Sequence, residues 1–127
     1  MNKSKINIVS IDKLTLSEFL IKVNTKVNNR KRKNGWRLRA WVYFIDNNIL
    51  TCPVSGLVVS YCSLDRVDHV KSEVSSTYHY NFYSQDGQHI TVDHKIPKSM
   101  GGSNHFENLQ PMLEIENSKK GNDLIYL

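Results

Sequence analysis

Asp86-Gly87 sits between two runs with strand character, the aromatic-rich stretch Tyr78 to Tyr83 and the β-branched stretch His89 to Val92. An Asp-Gly pair readily takes the positive-φ backbone of a tight hairpin turn, so it fixes where the chain reverses between them. The second run ends at Asp93-His94, where a loop holding Pro97, Gly101 and Gly102 begins. From Met112 to Lys120 the spacing of Leu113, Glu116, Asn117 and Lys120 is helical. Two extended runs followed by a helix point to an α+β fold. Tyr78, Tyr80 and Tyr83 suit sheet packing, and stacking on bases is the alternative use of such rings.

Upstream, Leu16, Phe19, Leu20, Val23 and Val27 recur at helical spacing from Thr15, and Thr15 with Glu18 has the form of a capping box. The helix is expected to run into Arg30-Lys31-Arg32-Lys33 and to stop at Asn34-Gly35. Residues 36–45 are alternating at first and then continuously apolar, which leaves a strand and a buried helix both open. If extended, Arg37 and Arg39 share a face. Asp46-Asn47-Asn48 is a turn, Leu57 to Cys62 a strand, and residues 63–76 give no clear signal. No internal repeat is visible.

Charge divides the 127-residue chain unevenly. Residues 1–50 carry eleven Lys/Arg against Asp12, Glu18 and Asp46, or 11 − 3 = +8; residues 51–127 carry six against nine acids, or 6 − 9 = −3. Basicity packed into one segment suits a polyanion, most simply nucleic acid, although an anionic surface or plain solvent would also accept it. We therefore expect a basic, nucleic-acid-contacting part over 1–50 and a core carrying the chemistry over 51–127. The N-terminus lacks the apolar core of a signal peptide, and no apolar run reaches transmembrane length. Two cysteines, Cys52 and Cys62, make no disulfide framework. No membrane partner is expected, and the cytoplasm is the expected setting.

The segment 93–121 carries the chemistry. Asp93 offers a hard oxygen suited to magnesium, and a neutral His94 can take a proton from water near physiological pH. Both stand where a strand meets a loop, so both are expected to point into one pocket. Asn117 would present an amide oxygen opposite Asp93, with Lys119 and Lys120 following it, suited to phosphate. Asp93, His94, Pro97, Gly101, Gly102, Asn108, Leu109, Asn117, Lys120 and Gly121 match, in order, the motif of the HNH endonucleases, which this segment resembles. The resemblance covers about thirty residues, and the two ligand positions are 117 − 93 = 24 apart, as in that family.

The resemblance implies a ββα-metal (HNH, or His-Me finger) core, here with an added N-terminal basic helix. It makes His94 the general base and Asp93 and Asn117 the ligands of one divalent cation. Asn108 becomes a structural support bonding across the loop. An Asp/Asn oxygen pair favours Mg2+, with Mn2+ as substitute. The implied reaction is phosphodiester hydrolysis in DNA, leaving 5′-phosphate and 3′-hydroxyl ends. Arg30, Lys31, Arg32, Lys33, Arg37, Arg39, Lys119 and Lys120 are the candidate backbone contacts.

Many relatives in that family carry a structural zinc on two C-x-x-C pairs; the corresponding positions here are Cys52, Ser55, Leu113 and Glu116, leaving one thiolate. A structural Zn2+ is not expected, since such a site needs about four ligands. Packing around Cys52, Pro53, Val54, Leu57 and Leu113 would replace it, and Cys62 reads as a buried free thiol. Of the remaining histidines, His69 and His79 carry no reading, whereas His89 and His105 lie near the site. A DNA endonuclease or nickase, a non-catalytic nucleic-acid-binding module and an RNA-cleaving enzyme all fit the pattern. Cutting both strands would call for a homodimer or sequential nicks. A short, self-standing nuclease suits a phage or mobile element acting in host cytoplasm.

Overall fold

Five strands and three α-helices occur among the residues that the computed structural model describes, 6–29, 35–69 and 77–121. In chain order they are β1 (Ile6–Leu14), α1 (Leu16–Asn29), α2 (Trp36–Asp46), β2 (Val59–His69), β3 (Thr77–Ser84), β4 (His89–His94), β5 (Leu109–Leu113) and α3 (Glu114–Lys120). The strands form one antiparallel sheet in the order β1-β2-β3-β4-β5. The fold is α+β.

The capping box at Thr15 is real. Thr15 N donates to Glu18 Oε1 at 2.8 Å and Glu18 N donates to Thr15 Oγ1 at 3.1 Å. Two orphan donors of the first turn are thereby satisfied, and the Thr15 backbone bond, first among the causes, holds the Glu18 carboxyl below its usual range. The basic run 30–33 and Asn34 lie outside the described residues.

Residues 36–46 resolve the open alternative as helix α2. Ala40, Trp41 and Phe44 are buried on one side, the i, i+4 arrangement of a helix packed on a sheet. Arg37 and Arg39 are then about 200° apart around the axis and do not share a face as an extended chain would have them.

β1 and β5 stand where no strand was expected: β5 takes in Met112 and Leu113, which the spacing had assigned to the last helix, and that helix begins only at Glu114. β1 pairs with β2 from Ile6↔His69 to Leu14↔Cys62, and β2 continues through residues 63–69. Long-range bonds hold this polar stretch: Ser10 and Ser63 hydroxyls meet at 3.0 Å, and Asp65 accepts from Ser63 Oγ and Asn81 Nδ2, each at 2.6 Å. A buried carboxylate with such donors is satisfied, so hydrophobic pattern is not needed there.

Leu14, Phe19, Trp41 and Phe44 share one core with Phe82, Ile90 and Met112, so the basic first part and the remainder are joined by packing. Trp41 stacks on Phe82 at 4.1 Å, and Phe19 meets the same ring edge-on at 4.9 Å. Pro111 lies in β5, at the sheet edge where its missing N–H leaves no ladder bond unmade.

Candidate active site

β4 pairs with β5 so that Asp93 faces Gln110 and His94 faces Leu109. Side chains alternate across a strand, and here the alternation separates the two residues expected to share a pocket. Thr91 and Asp93 face α3, whereas His94 turns towards the start of α2. In place of the single enclosed pocket expected, the two side chains flank the end of β4 with different partners, and a phosphate acted on by both would lie across that strand end.

Asp93 is 4% exposed. Its Oδ1 accepts from Lys120 Nζ at 3.1 Å and its Oδ2 from Gln110 Nε2 at 2.9 Å. Lys120 Nζ also donates to the His94 carbonyl at 2.7 Å. One turn earlier on α3, Asn117 Nδ2 donates to Thr91 Oγ1 at 2.9 Å. Residues three apart on a helix meet residues two apart on a strand, so Asp93, Asn117 and Lys120 line one seam. Lys120 is correspondingly withdrawn from solvent, 3% exposed, and its expected role as a phosphate contact fails because its ammonium is spent inside.

The loop after β4 is held by Asn108. Its Oδ1 accepts from Ile96 N at 2.9 Å, its Nδ2 donates to the carbonyls of Ser103 at 2.8 Å and Ile96 at 3.2 Å, and its carbonyl accepts from Lys95 N at 2.7 Å. The glycine pair is used for two different reasons. Gly101 has φ +89°, and a Cβ on Gly102 would stand 1.7 Å from the Ile96 carbonyl oxygen. Within this loop Asn104 Oδ1 reaches His94 Nε2 at 2.7 Å. The Trp36 ring lies 4.9 Å from the imidazole, tilted by 54°. Trp36, Arg39, Asn104, His105 and Phe106 line an open depression of about 410 Å3.

Asn104 and Trp36 were not singled out in the sequence, nor were Gln110 and Thr91. Asn104 is an amide in the Gly-Gly loop only ten positions from His94, a signal that was available. Trp36 is distant in the chain and offered none. Of the other candidates, Arg39 lines the depression, Arg37 lies over the Trp36 ring at 4.5 Å, and Lys119 is an exposed cation 3.6 Å from Glu116. His105 lines the depression, and His89 bonds Glu114 at 3.0 Å.

At the former zinc-pair positions, Cys52 Sγ accepts from the backbone N–H groups of Ser55 and Leu113, each at 3.4 Å, and touches Met112 Sδ at 3.7 Å. Burial pushes this thiol up, but the bonds from Leu113 and Ser55 outweigh it and leave it below the usual range. Met112 packs against Cys52, whereas Pro53 and Val54, both expected in that packing, are exposed. Cys62 is buried as expected, and burial, with Asp65 and Asp12 nearby, pushes its thiol up to about 12. Among the described residues no group of three His, Cys, Asp or Glu side chains is placed to hold a metal. No helix among them is long and apolar enough to cross a membrane.

Residues 78–123 match the family model of the HNH endonucleases. The HNH segment runs from β3 through α3 and contains Asp93, His94, Asn104, Asn108, Asn117 and Lys120. Trp36 and Arg39, which close the depression beside His94, come from outside it. The match points to a nuclease or nucleic-acid-related role. No curated protein and no solved structure gives a match to the chain.

Proposed function

We propose that this protein is a metal-dependent DNA endonuclease or nickase, with β4, β5 and α3 as its ββα-metal core. The observation carrying this reading is the end of β4. There a carboxylate and an amide line the α3 seam, while an imidazole is held by Asn104 of the following loop, all inside the HNH segment.

The donors suit a hard cation. Asn117 spends Nδ2 on Thr91, which leaves its Oδ1 as a ligand, and each Asp93 oxygen keeps a lone pair after its one bond. Two protein oxygens fit Mg2+ or Mn2+, which retain several waters. The bound ion would supply Lewis-acid stabilisation of charge on the scissile phosphate and the departing 3′ oxygen. No zinc is called for.

The remaining steps belong to the chain itself. Asn104 Oδ1, as acceptor, keeps the proton of His94 on Nε2 and leaves the Nδ1 lone pair to take a proton from the attacking water. Asn108 fixes the loop that carries Asn104. Lys120 ties the Asp93 carboxylate and the His94 carbonyl to one point, which sets the strand end. Arg39 and Lys119, with the basic run 30–33, would contact backbone phosphates, and the products would carry 5′-phosphate and 3′-hydroxyl ends.

One observation favours a second reading, a nucleic-acid-binding module without catalysis. Both Asp93 oxygens are already engaged by Lys120 and Gln110, an arrangement a purely structural ion pair would also show. Supercoiled plasmid incubated with Mg2+ or Mn2+, with EDTA, and with His94→Ala separates the two. The enzyme reading expects nicking that EDTA abolishes and His94→Ala lowers by about 10²- to 10⁴-fold, the range for a lost general base. Plasmid left equally intact by wild type and variant would hand the case to the binding module. RNA cleaved in place of DNA would reassign the substrate.

A further inference from the structure

We infer that the depression beside His94 is a subsite for one unpaired deoxynucleotide next to the scissile phosphate. The inference rests on the nuclease reading for the position of that phosphate.

The argument begins with what touches His94. The imidazole's ring contact, Trp36, and its hydrogen-bond partner, Asn104, are both walls of the depression, so an occupant would touch the two residues that hold His94 in place. The volume, about 410 Å3, is at the small end of the roughly 300–1,000 Å3 that ligand sites span. Two aromatic rings, Trp36 and Phe106, line it, and each already rests against a neighbouring side chain. Phe106, 38% exposed, stacks on Tyr43 at 4.4 Å and 17°, and the Arg37 guanidinium lies over Trp36. Rings fixed before binding offer a flat platform at little cost in ordering.

The polar part of the lining is Arg39, His105 and Asn104, and no carboxylate is among the lining residues. Arg39 suits a phosphate bidentately, and Asn104 and His105 can meet the hydrogen-bonding edge of a base. A paired base inside a duplex presents no free face to a side-chain ring. Stacking on aromatic residues is how proteins hold bases that are splayed out or single-stranded. This combination of rings, one guanidinium and amide edges therefore fits an unpaired nucleotide.

The test is anisotropy of a fluorescein-labelled oligodeoxythymidylate, with a labelled duplex of equal length in parallel, in EDTA so that nothing is cut. Wild type is expected to bind the single strand more tightly than the duplex. Trp36→Ala and Phe106→Ala should each weaken single-strand binding by roughly 5- to 150-fold, the range for loss of one stacking partner. Duplex binding should change much less. Because Trp36 is partly packed, Phe106→Leu on the exposed rim, with melting curves for all variants, guards against misfolding. Equal or tighter binding of the duplex overturns the inference, as does unchanged single-strand affinity in folded Trp36→Ala and Phe106→Leu. Plasmid nicking by the same preparations is scored separately. His94-dependent nicking without single-strand preference sinks the subsite and spares the nuclease; the preference without nicking does the reverse.

Discussion

Lys120 reaches from the last turn of α3 to the end of β4, where its ammonium lies 3.1 Å from Asp93 Oδ1 with both side chains almost fully enclosed. The pair joins the two elements that hold the candidate cation ligands. A buried pair differs from a surface one in what happens when half of it is removed.

Lys120→Met is expected to destabilise the fold by about 3–5 kcal/mol, because it leaves the Asp93 carboxylate enclosed with only Gln110 as donor. The double variant Lys120→Met/Asp93→Leu should recover much of that loss. Urea melts of wild type, single and double variants measure it, and a single variant within 1 kcal/mol of wild type would contradict the burial argument.

Asn104→Ala should lower the rate of plasmid nicking by about ten- to a hundredfold, the range seen when a partner that orients an imidazole is lost. The melting temperature should hardly move, since Asn104 is in a loop outside the core. A rate unchanged at saturating Mg2+ would show that His94 is oriented by something else.

The two loop glycines should respond differently to alanine. Gly101→Ala asks an alanine to sit at φ +89°, a cost of about 1–2 kcal/mol. Gly102→Ala forces a methyl into the Ile96 carbonyl and must move backbone, so it is expected to exceed about 2 kcal/mol and to abolish nicking. Equal effects in denaturant melts would count against the close approach at Gly102.

Alkaline pH should weaken the fold through Cys62. Burial, then the neighbouring Asp65 and Asp12, raises this thiol to about 12, above its unfolded value of roughly 8.5. Between those values the unfolded chain has released a proton that the folded chain keeps, so unfolding becomes easier as pH rises. Stability is fully present below about 8.5 and should fall by up to about 1.4 kcal/mol per pH unit above it. Tyr80 and Tyr83, also raised chiefly by burial, add to the fall at higher pH. Melts from pH 8 to 10.5 for wild type and Cys62→Ala should show a shallower slope in the variant.

What was legible in the chain was local. The Thr15–Glu18 box, the Asp86-Gly87 turn, the strands around it and the cross-loop bonds of Asn108 all involve residues within a short reach of one another. β1, the second half of β2 and β5 were not legible. Their polar members Ser63 and Asp65 are buried by partners as distant as Ser10 and Asn81, and local composition does not carry that information. Trp36 was hidden for the same reason, since it meets His94 from 94 − 36 = 58 positions away. The separation of Asp93 from His94 was legible in principle: adjacent residues of a strand point to opposite sides.

Glu114 to His89, Asn117 to Thr91 and Lys120 to Asp93 all tie α3 to β4. Polar side-chain bonds thus join the strand to the short helix, whereas Trp36 and Arg39 belong to a different helix, which meets His94 through the Trp36 ring. On the proposed reading, substitutions in α2 would retune which substrate is accepted and leave the candidate cation ligands as they are, so selectivity and chemistry would be free to evolve separately.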